Sequence, residues 1–188
     1  MNEADGDEKE SGDSLSGSLI LAAPSLLDPH FARSVLLLTD HGGEGAHGYI
    51  LNRPIGKTVS DVLSDESFEK LKTVPLFLGG PVGTSQLTFA SLFWNEIAGE
   101  LDYATHLSVG EASARVAEGF DVRAFVGYSG WSEGQLEDEL EQQAWIPRSP
   151  VSEVLTEKNA DALWGDILRK MGPVYRLIAD APDDPSLN

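Results

Sequence analysis

Short apolar runs, rich in branched residues and separated by turn-forming residues, recur along most of the chain. Runs of this kind, bounded by Gly, Pro, Asn or Asp, are typical of β-strands. The segment 40–47 between two of them contains three glycines and suits a hairpin connection. The pattern predicts strands at residues 18–23, 34–39, 48–52, 74–78, 87–93, 122–127 and 151–155.

Helices are indicated by capping residues followed by helical periodicity. A Ser or Thr three residues before Glu, Gln or Asp has the spacing at which both side chains bond the first turn. The strands occur in runs rather than alternating with helices, which indicates an α+β fold rather than a doubly wound α/β fold. Helices are predicted from Ser108 with Glu111 to Gly119, from Ser132 with Gln135 onward, from Asn159 to Gly172–Pro173, and briefly at Thr58 with Asp61.

Length and composition indicate one domain with two tails. A chain of 188 residues has the size of a single domain. Residues 1–16 are acidic and polar, and a segment of that composition cannot bury enough surface to offset the cost of ordering. We therefore predict a disordered acidic tail at 1–16, a folded domain at 17–179 and a C-terminal tail at 180–188.

The chain carries a formal net charge of −18, and the two tails account for less than half of it. Nucleic-acid binders gain much of their affinity by neutralising phosphates with Lys and Arg, and an acidic body is repelled by DNA and by anionic lipid alike. The charge therefore argues against direct nucleic-acid binding. We expect an unknown protein partner or small ligand instead.

The chain start has neither the basic region nor the apolar run of a secretory signal. The apolar stretch 19–27 is interrupted by Pro24 and Ser25 and is far shorter than the ~20 residues that span a bilayer. The sequence contains no cysteine, which excludes disulfides, Cys-ligated metals and a thiol nucleophile. We predict a cytoplasmic protein with no membrane partner, no metal and no cofactor.

Three blocks of Gly, Pro, polar and aromatic residues follow one another at characteristic spacings. In this order they cover residues 17–172 and resemble the YqgE/AlgH family. The first block is Leu21-Ala-Ala-Pro24 through Ser34-Val35 to Gly45-Ala-His-Gly48 and Leu51-Asn-Arg-Pro54; the second is Leu78-Gly-Gly-Pro-Val82; the third is Gly127-Tyr-Ser-Gly-Trp131, Gly134-Gln-Leu-Glu137, Glu139 and Ala144-Trp145.

The resemblance implies an α+β fold in which a strongly bent, branching sheet forms a pseudo-barrel with a few helices packed outside. It also implies a cytosolic bacterial protein, of a kind often described as transcriptional regulators. If the blocks converge at strand ends, where binding sites tend to form, they supply a ligand site. The candidate ligand-binding residues are Asn52, Arg53, Gly79, Gly80, Pro81, Tyr128, Ser129, Trp131 and Gln135.

Several of these residues also have structural interpretations. The segment Gly127–Trp131 approaches the G-x-S-x-G nucleophile motif at a strand-to-helix turn, but Trp131 stands where the second Gly belongs. Gln135 has the position of a capping residue. Arg53 suits a salt bridge or a ligand contact equally, and Pro54 is expected to stop strand pairing. The segment Gly79–Gly83 suits a sharp turn, not a phosphate loop.

The loop of Asp40, His41, Glu44 and His47 has metal-ligating side chains, but its glycines favour a flexible hairpin tip over a rigid metal site. Two functional hypotheses follow. The first is a non-enzymatic binding or regulatory protein that acts through a protein partner or small ligand. The second is a hydrolase-type enzyme with a site near Asn52, Arg53, Tyr128 and Ser129.

Overall fold

A computed structural model describes residues 14–155 and 160–181. Short 3₁₀ turns lie at Val59–Asp61, Glu66–Leu71 and Ser152–Leu155. The strands and helices are β1 (Leu19–Ala22), β2 (Val35–Gly42), β3 (Gly45–Ile50), β4 (Pro54–Thr58), β5 (Pro75–Leu78), β6 (Val82–Asn95), β7 (Glu100–Leu107), α1 (Val109–Ala117), β8 (Asp121–Ser132), α2 (Gln135–Glu141), β9 (Trp145–Arg148), α3 (Ala160–Lys170) and α4 (Pro173–Ala179).

The strands form one curled sheet in the order β4-β5-β8-β3-β2-β1-β9, and the β6–β7 hairpin branches from it at β8. All pairs are antiparallel except β5 with β8. Helices pack outside this sheet. The predicted α+β fold, with a strongly bent and branching sheet, is confirmed.

Both faces of the sheet are buried at β1–β3. Alternate residues of β1–β3 point to opposite faces, as the strand period requires. Leu19, Leu21, Val35 and Leu37 join a core covered by α3, whose Leu163, Trp164, Ile167 and Leu168 are buried there. On the opposite face, Ile20, Ala22, Leu36 and Leu38 form a second core with Leu136 of α2. A third core lies under α1 and includes Val59, Phe89, Ala112 and Ala124.

The branch point depends on Gly127, inside β8. The first half of β8 pairs with β5 and β6, and the second half pairs with β3. Gly127 has φ +67°, and a Cβ there would lie 2.6 Å from the Gly80 carbonyl oxygen, so only glycine fits the bend. The predicted strand-to-helix turn at Gly127–Trp131 is wrong, because these residues continue β8.

Other predicted boundaries also need correction. Pro54 does not stop pairing but begins the edge strand β4, where a proline nitrogen costs no ladder bond. The predicted strand at 151–155 is largely a 3₁₀ turn, and the strand lies earlier, at β9. β7 was not predicted, although its apolar positions Leu101, Tyr103 and Leu107 share one parity.

The helix predictions are partly confirmed. Ser108 and Glu111 form the expected capping box of α1, and the short turn after Thr58 has one as well. α2 begins after Gly134 rather than Ser132, and the Gln135 side chain accepts a hydrogen bond from the Ser132 backbone N–H. α4 was not predicted and begins with Pro173 at its first turn.

Parts of three predictions lie outside the described residues: residues 1–13 of the acidic tail, residues 182–188 of the C-terminal tail, and the Asn159 cap. Within the described part of the first tail, the Ser14 hydroxyl donates to the His41 carbonyl and the Leu15 N–H donates to His41 Nδ1. None of the helices in the described ranges has the length and apolar run that a bilayer crossing requires.

Candidate functional site

Trp131 belongs to an internal group that we call the indole–carboxylate cluster: Phe31, Trp131, Gln135, Glu139 and Trp145. Both indole N–H groups donate to the same Glu139 oxygen, Oε2, at 2.9 Å from Trp131 and 2.7 Å from Trp145. The Gln135 amide donates to the other oxygen at 3.0 Å. Phe31 packs against both indoles. The cluster ties α2 and the loop before β2 to β8 and β9.

Asn52 and Arg53 make structural contacts at the end of β3. The Asn52 side chain is buried; its Oδ1 accepts from Val35 N–H at 2.8 Å and its amide donates to the Arg33 carbonyl at 2.9 Å. Arg53 Nη2 donates to the Ala32 carbonyl at 2.6 Å. Both side chains therefore anchor the segment that enters β2. Arg53 contacts a carbonyl rather than the carboxylate of a salt bridge.

Ser129 does not present a nucleophile to solvent. Its side chain is 0% exposed, and Oγ donates to the Gly79 carbonyl at 3.1 Å. Gly79 and Gly80 lie directly beneath this part of β8: an added Cβ would lie 2.3 Å from the Gly127 oxygen and 2.2 Å from the Tyr128 carbonyl, respectively. The two glycines are therefore needed for close backbone packing.

The nine predicted residues thus separate into groups. Gly79, Gly80, Tyr128 and Ser129 lie together, whereas Asn52 and Arg53 are turned toward the segment before β2. Pro81 is exposed, and Trp131 and Gln135 belong to the indole–carboxylate cluster. Tyr128 differs from the others because its half-buried ring contacts a second group of polar aromatic residues.

We call that second group the His47 site: Thr39, His47, Tyr49, His106 and Tyr128. The His47 and Tyr128 rings stack with centroids 4.5 Å apart and an interplanar angle of 27°. Tyr49 meets the imidazole edge-on at 5.1 Å, and the His106 ring lies 6.0 Å from it. These side chains come from β2, β3, β7 and β8.

Two irregularities in the sheet bring partners toward His47. Between Leu38 and Asp40, β2 has one residue more than β3, so Thr39 is the extra residue opposite His47. In β7 the register shifts around residues 105–106, and His106 has φ +56°. Bulges of this kind redirect side chains, and a left-handed histidine carries backbone strain. Two separate strands therefore depart from regular geometry at this site.

The hydrogen bonds of His47 define its tautomer. Thr39 Oγ1 donates to the His47 carbonyl at 3.2 Å and lies 3.1 Å from His47 Nδ1. Because the hydroxyl has a single proton, we infer that Nδ1–H donates to Oγ1 and that Nε2 is the unprotonated acceptor of the neutral ring. Nε2 has no hydrogen-bond partner among the described residues.

The surroundings favour the neutral imidazole. Burial lowers the pKa of His47, nearby His106 lowers it further, and Asp40 opposes these effects. Burial also raises the pKa of Tyr49, against a hydrogen bond with Thr88 that lowers it, and burial and then Asp40 raise the pKa of Tyr103. The shifts favour the uncharged forms of His47 and Tyr49 within the site.

A cavity of about 390 Å³ opens beside His47, lined by Asp40, Glu44, Ala46, His47, Trp131 and the glycines of the β2–β3 turn. Pockets of roughly 300–1,000 Å³ hold small ligands. The side-chain carboxylates of Asp40 and Glu44 have no hydrogen-bond partner among the described residues, and no Lys or Arg lines this cavity in the described part of the chain.

Sequence reasoning considered His47 only as a loop residue and missed Thr39, Tyr49 and His106. The structure places His47 inside β3, half-buried, rather than at a flexible tip. The glycine-rich turn next to His47 could have indicated the position of the site, whereas nothing in the sequence predicts the bulge at His106. Within the described ranges, no three His, Asp or Glu side chains are grouped as metal ligands.

Comparisons with known proteins extend over nearly the whole chain. A model of the AlgH-like family matches residues 19–176. A UPF0301 protein of Streptomyces avermitilis is 36% identical over 93% of this chain and 96% of its own length; a UPF0301 protein of Chlorobaculum tepidum is 34% identical over 92% and 95%.

Two solved structures have the same architecture. A crystal structure from Corynebacterium diphtheriae superposes with a TM-score of 0.71 at 22% identity, covering 92% of this chain and 95% of that one. The solution structure of the AlgH protein of Pseudomonas aeruginosa superposes with a TM-score of 0.58 at 25% identity, covering 97% and 99%.

Proposed function

The chain belongs to the AlgH-like family, and on that premise we propose that it is a non-enzymatic binding protein whose ligand occupies the His47 site. The observation that carries the proposal is that His47 combines an unused hydrogen-bond acceptor with a position in the cavity wall. We propose that binding there has a regulatory role in the cytoplasm. The ligand is either a free small molecule or a group on a partner protein.

The hydrolase alternative has less support. A serine nucleophile needs an exposed Oγ within reach of a base, whereas Ser129 is fully buried and donates to a backbone carbonyl. Asn52 uses both ends of its amide internally, and Arg53 donates to a carbonyl. These contacts support a role for the three residues in folding.

The charge of the chain supports a ligand other than nucleic acid. A net charge of −18 repels the DNA backbone, and the affinity of duplex binders comes largely from Lys and Arg that neutralise its phosphates. We expect no binding of the purified protein to duplex DNA at low ionic strength, as measured by fluorescence anisotropy. Tight binding that weakens steeply with added salt would contradict this part of the proposal.

The main test compares small molecules retained by the wild type and by His47→Ala. Each purified protein is incubated with the small-molecule fraction of a bacterial lysate, washed, and analysed by native mass spectrometry and metabolite profiling. We expect the wild type to retain at least one compound that His47→Ala loses, because the substitution removes the Nε2 acceptor and part of the cavity wall. His30→Ala, an exposed histidine outside the site, is the matched control and should retain the compound.

The proposal fails if no compound distinguishes the wild type from His47→Ala while both have the same urea unfolding midpoint. It also fails if the wild type turns over ester, phosphate or amide substrates and Ser129→Ala does not.

A further inference from the structure

We propose that a second cavity, separate from the His47 site, binds a free α-amino acid with an apolar side chain. The cavity has a volume of about 280 Å³ and lies where β6, β7 and the C-terminal end of α1 meet. It shares no lining residue with the cavity beside His47. We call it the Ser91 cavity, and it is lined by Ser91, Asp102, Tyr103, Ala104, Arg115 and Phe120.

Ser91 is the buried polar residue of this cavity, and its hydroxyl group is unused. The residue is 1% exposed, and Oγ has no hydrogen-bond partner among the described residues. Ser91 pairs with Ala104 of β7, and paired residues of neighbouring strands place their side chains on one face of the sheet. Both line the cavity. Since a buried hydroxyl without a partner costs free energy, a polar ligand that enters the cavity gains a hydrogen bond from Ser91.

Two opposite charges line the cavity without pairing with each other. Arg115 lies in the last turn of α1 and Asp102 lies on β7. In the described part of the chain no ion pair joins them, and the Asp102 carboxylate has no partner. Arg115 Nη1 lies 3.7 Å from a carboxylate oxygen of Glu118, beyond hydrogen-bonding distance. A carboxylate and an ammonium group on one ligand can therefore bond Arg115 and Asp102 respectively.

The same charges disfavour a ligand with only one charged group. A simple anion bound to Arg115 would be repelled by Asp102 and Glu118, and a simple cation bound to Asp102 would be repelled by Arg115. The adjacent carboxylate and ammonium groups of a free α-amino acid avoid both costs. The arrangement of charges is thus complementary to a zwitterion.

Aromatic contacts position Arg115 and give the cavity an apolar wall. The guanidinium carbon lies 4.4 Å from the centroid of the Phe120 ring. Phe120 in turn contacts Phe93 of β6, with ring centroids 5.0 Å apart. A guanidinium over an aromatic face keeps its N–H groups available for a carboxylate. Because Phe120 and Ala104 are apolar, we expect the amino acid to carry an apolar side chain.

The experiment titrates the full-length protein with leucine and measures affinity by calorimetry and by NMR shifts of the Ala104 methyl group. Two matched analogues each lack one charged group: isocaproate has no ammonium group, and isoamylamine has no carboxylate. Phenylalanine, hydrocinnamate and phenethylamine repeat the comparison with a larger side chain. We expect leucine or phenylalanine to bind about tenfold or more tightly than either of its analogues.

Each charged residue is tested with the analogue that does not use it. Asp102→Asn should lower the affinity for the amino acid at least about tenfold and should not weaken the binding of the matching acid. Arg115→Gln should lower the affinity for the amino acid by a similar factor and should not weaken the binding of the matching amine. The controls are Glu100→Gln and Arg148→Gln, at exposed positions outside the cavity, and neither should change any affinity.

Ser91→Ala separates a ligand contact from a structural role. The hydroxyl makes no hydrogen bond among the described residues, so its removal should leave the urea unfolding midpoint unchanged or raise it. We expect the same variant to bind the amino acid about tenfold more weakly, because a hydrogen bond to a charged group is lost. A lower midpoint with unchanged affinity would contradict the role of Ser91 in binding.

The proposal is overturned if neither amino acid binds, or if the matching acid or amine binds as tightly as the amino acid. It is also overturned if Asp102→Asn and Arg115→Gln both bind the amino acid as tightly as the wild type does. These outcomes leave the proposed function intact, because the His47 site is tested by other variants and has other lining residues.

Discussion

Tyr128 and Trp131 stand three residues apart in β8 and face opposite sides of the sheet, in two regions with opposite properties. In the indole–carboxylate cluster, both indole N–H groups and both Glu139 oxygens are hydrogen-bonded. In the His47 site, His47 Nε2 and the Tyr128 hydroxyl have no partner among the described residues. One region uses its polar groups to hold elements together, whereas the other leaves these two polar groups unpaired, and His47 also lines a cavity.

Residues of a family motif can be needed for the fold or for binding a ligand, and the two regions differ in this respect. The aromatic residues and glycines that identify the family include Trp131, Trp145 and Gly127, and the structure shows that these residues make the fold. Of the residues with an unused hydrogen-bonding group, Tyr128 lies between Gly127 and Trp131 in β8, and His47 lies in the neighbouring strand β3. A recognisable motif is therefore a guide to packing first, and unused polar capacity beside a cavity is the better guide to binding.

The largest expected effect on stability is that of Glu139→Ala. The substitution leaves the N–H groups of Trp131 and Trp145, both nearly fully buried, without an acceptor. Each buried unsatisfied donor costs about 1–3 kcal/mol, so we expect a loss of about 2–4 kcal/mol in the free energy of unfolding, measured by urea denaturation. The control Glu141→Ala, at an exposed position of the same helix, should change it by less than about 0.5 kcal/mol.

A loss of less than about 1 kcal/mol for Glu139→Ala would contradict the interpretation of the cluster as a structural link. Retention of the lysate compound by correctly folded Glu139→Ala would show that the indole–carboxylate cluster is not needed for binding at the His47 site.

We expect an intermediate effect on folding stability when the pH is lowered, because the folded protein disfavours protonation of His47. Its pKa is lowered in the folded protein, chiefly by burial and then by His106, with Asp40 acting in the opposite direction. The unfolded chain therefore binds a proton at higher pH than the folded one. Stability should be full above the unfolded pKa of about 6.5 and should decrease as pH falls below it toward the lowered folded pKa.

The measurement is the urea midpoint between about pH 7.5 and 5, a range above the usual titration of carboxylates. His47→Gln should reduce the decrease in stability over this range, and the exposed-site control His30→Gln should leave it unchanged. An identical pH dependence in the wild type and His47→Gln would show that His47 does not carry this effect.

The smallest effect is expected for Ser129→Ala. Oγ donates to the Gly79 carbonyl, which also accepts the Ile50 N–H at 2.9 Å, so its loss leaves no acceptor unpaired. We expect a decrease of about 1 kcal/mol or less in the free energy of unfolding and no change in the compound retained from lysate. A larger loss in binding than in stability would place Ser129 in the ligand site.

Several features could be predicted from local sequence because their causes are local. Ser108 with Glu111 and Thr58 with Asp61 are capping boxes in the structure, as their spacing indicates. The β2–β3 hairpin follows from its glycine-rich turn. The boundaries that failed depend on distant partners: β4 forms because β5 provides an edge, and β8 continues past Gly127 because β3 receives its second half.

The candidate site was predictable only in part for the same reason. Tyr128 was identified because it lies in a recognisable block, but its contact with His47 depends on pairing between β3 and β8. Thr39 and His106 reach His47 only through bulges in two strands. Asn52 and Arg53 have chemistry suited to a site, yet the packing of the segment before β2 uses their hydrogen bonds internally.

The family, the α+β class, the acidic charge and the lack of cysteine chemistry can all be read from the amino-acid sequence, because they depend on residue identity, spacing and composition. Which polar side chains are hydrogen-bonded within the protein, and which are not, depends on the tertiary structure. Hydrogen-bond partners such as Trp145 for Glu139, or Gly79 for Ser129, are distant neighbours brought together by the curl of the sheet. Trp131 therefore belongs to the framework, and Tyr128 lies at the candidate site.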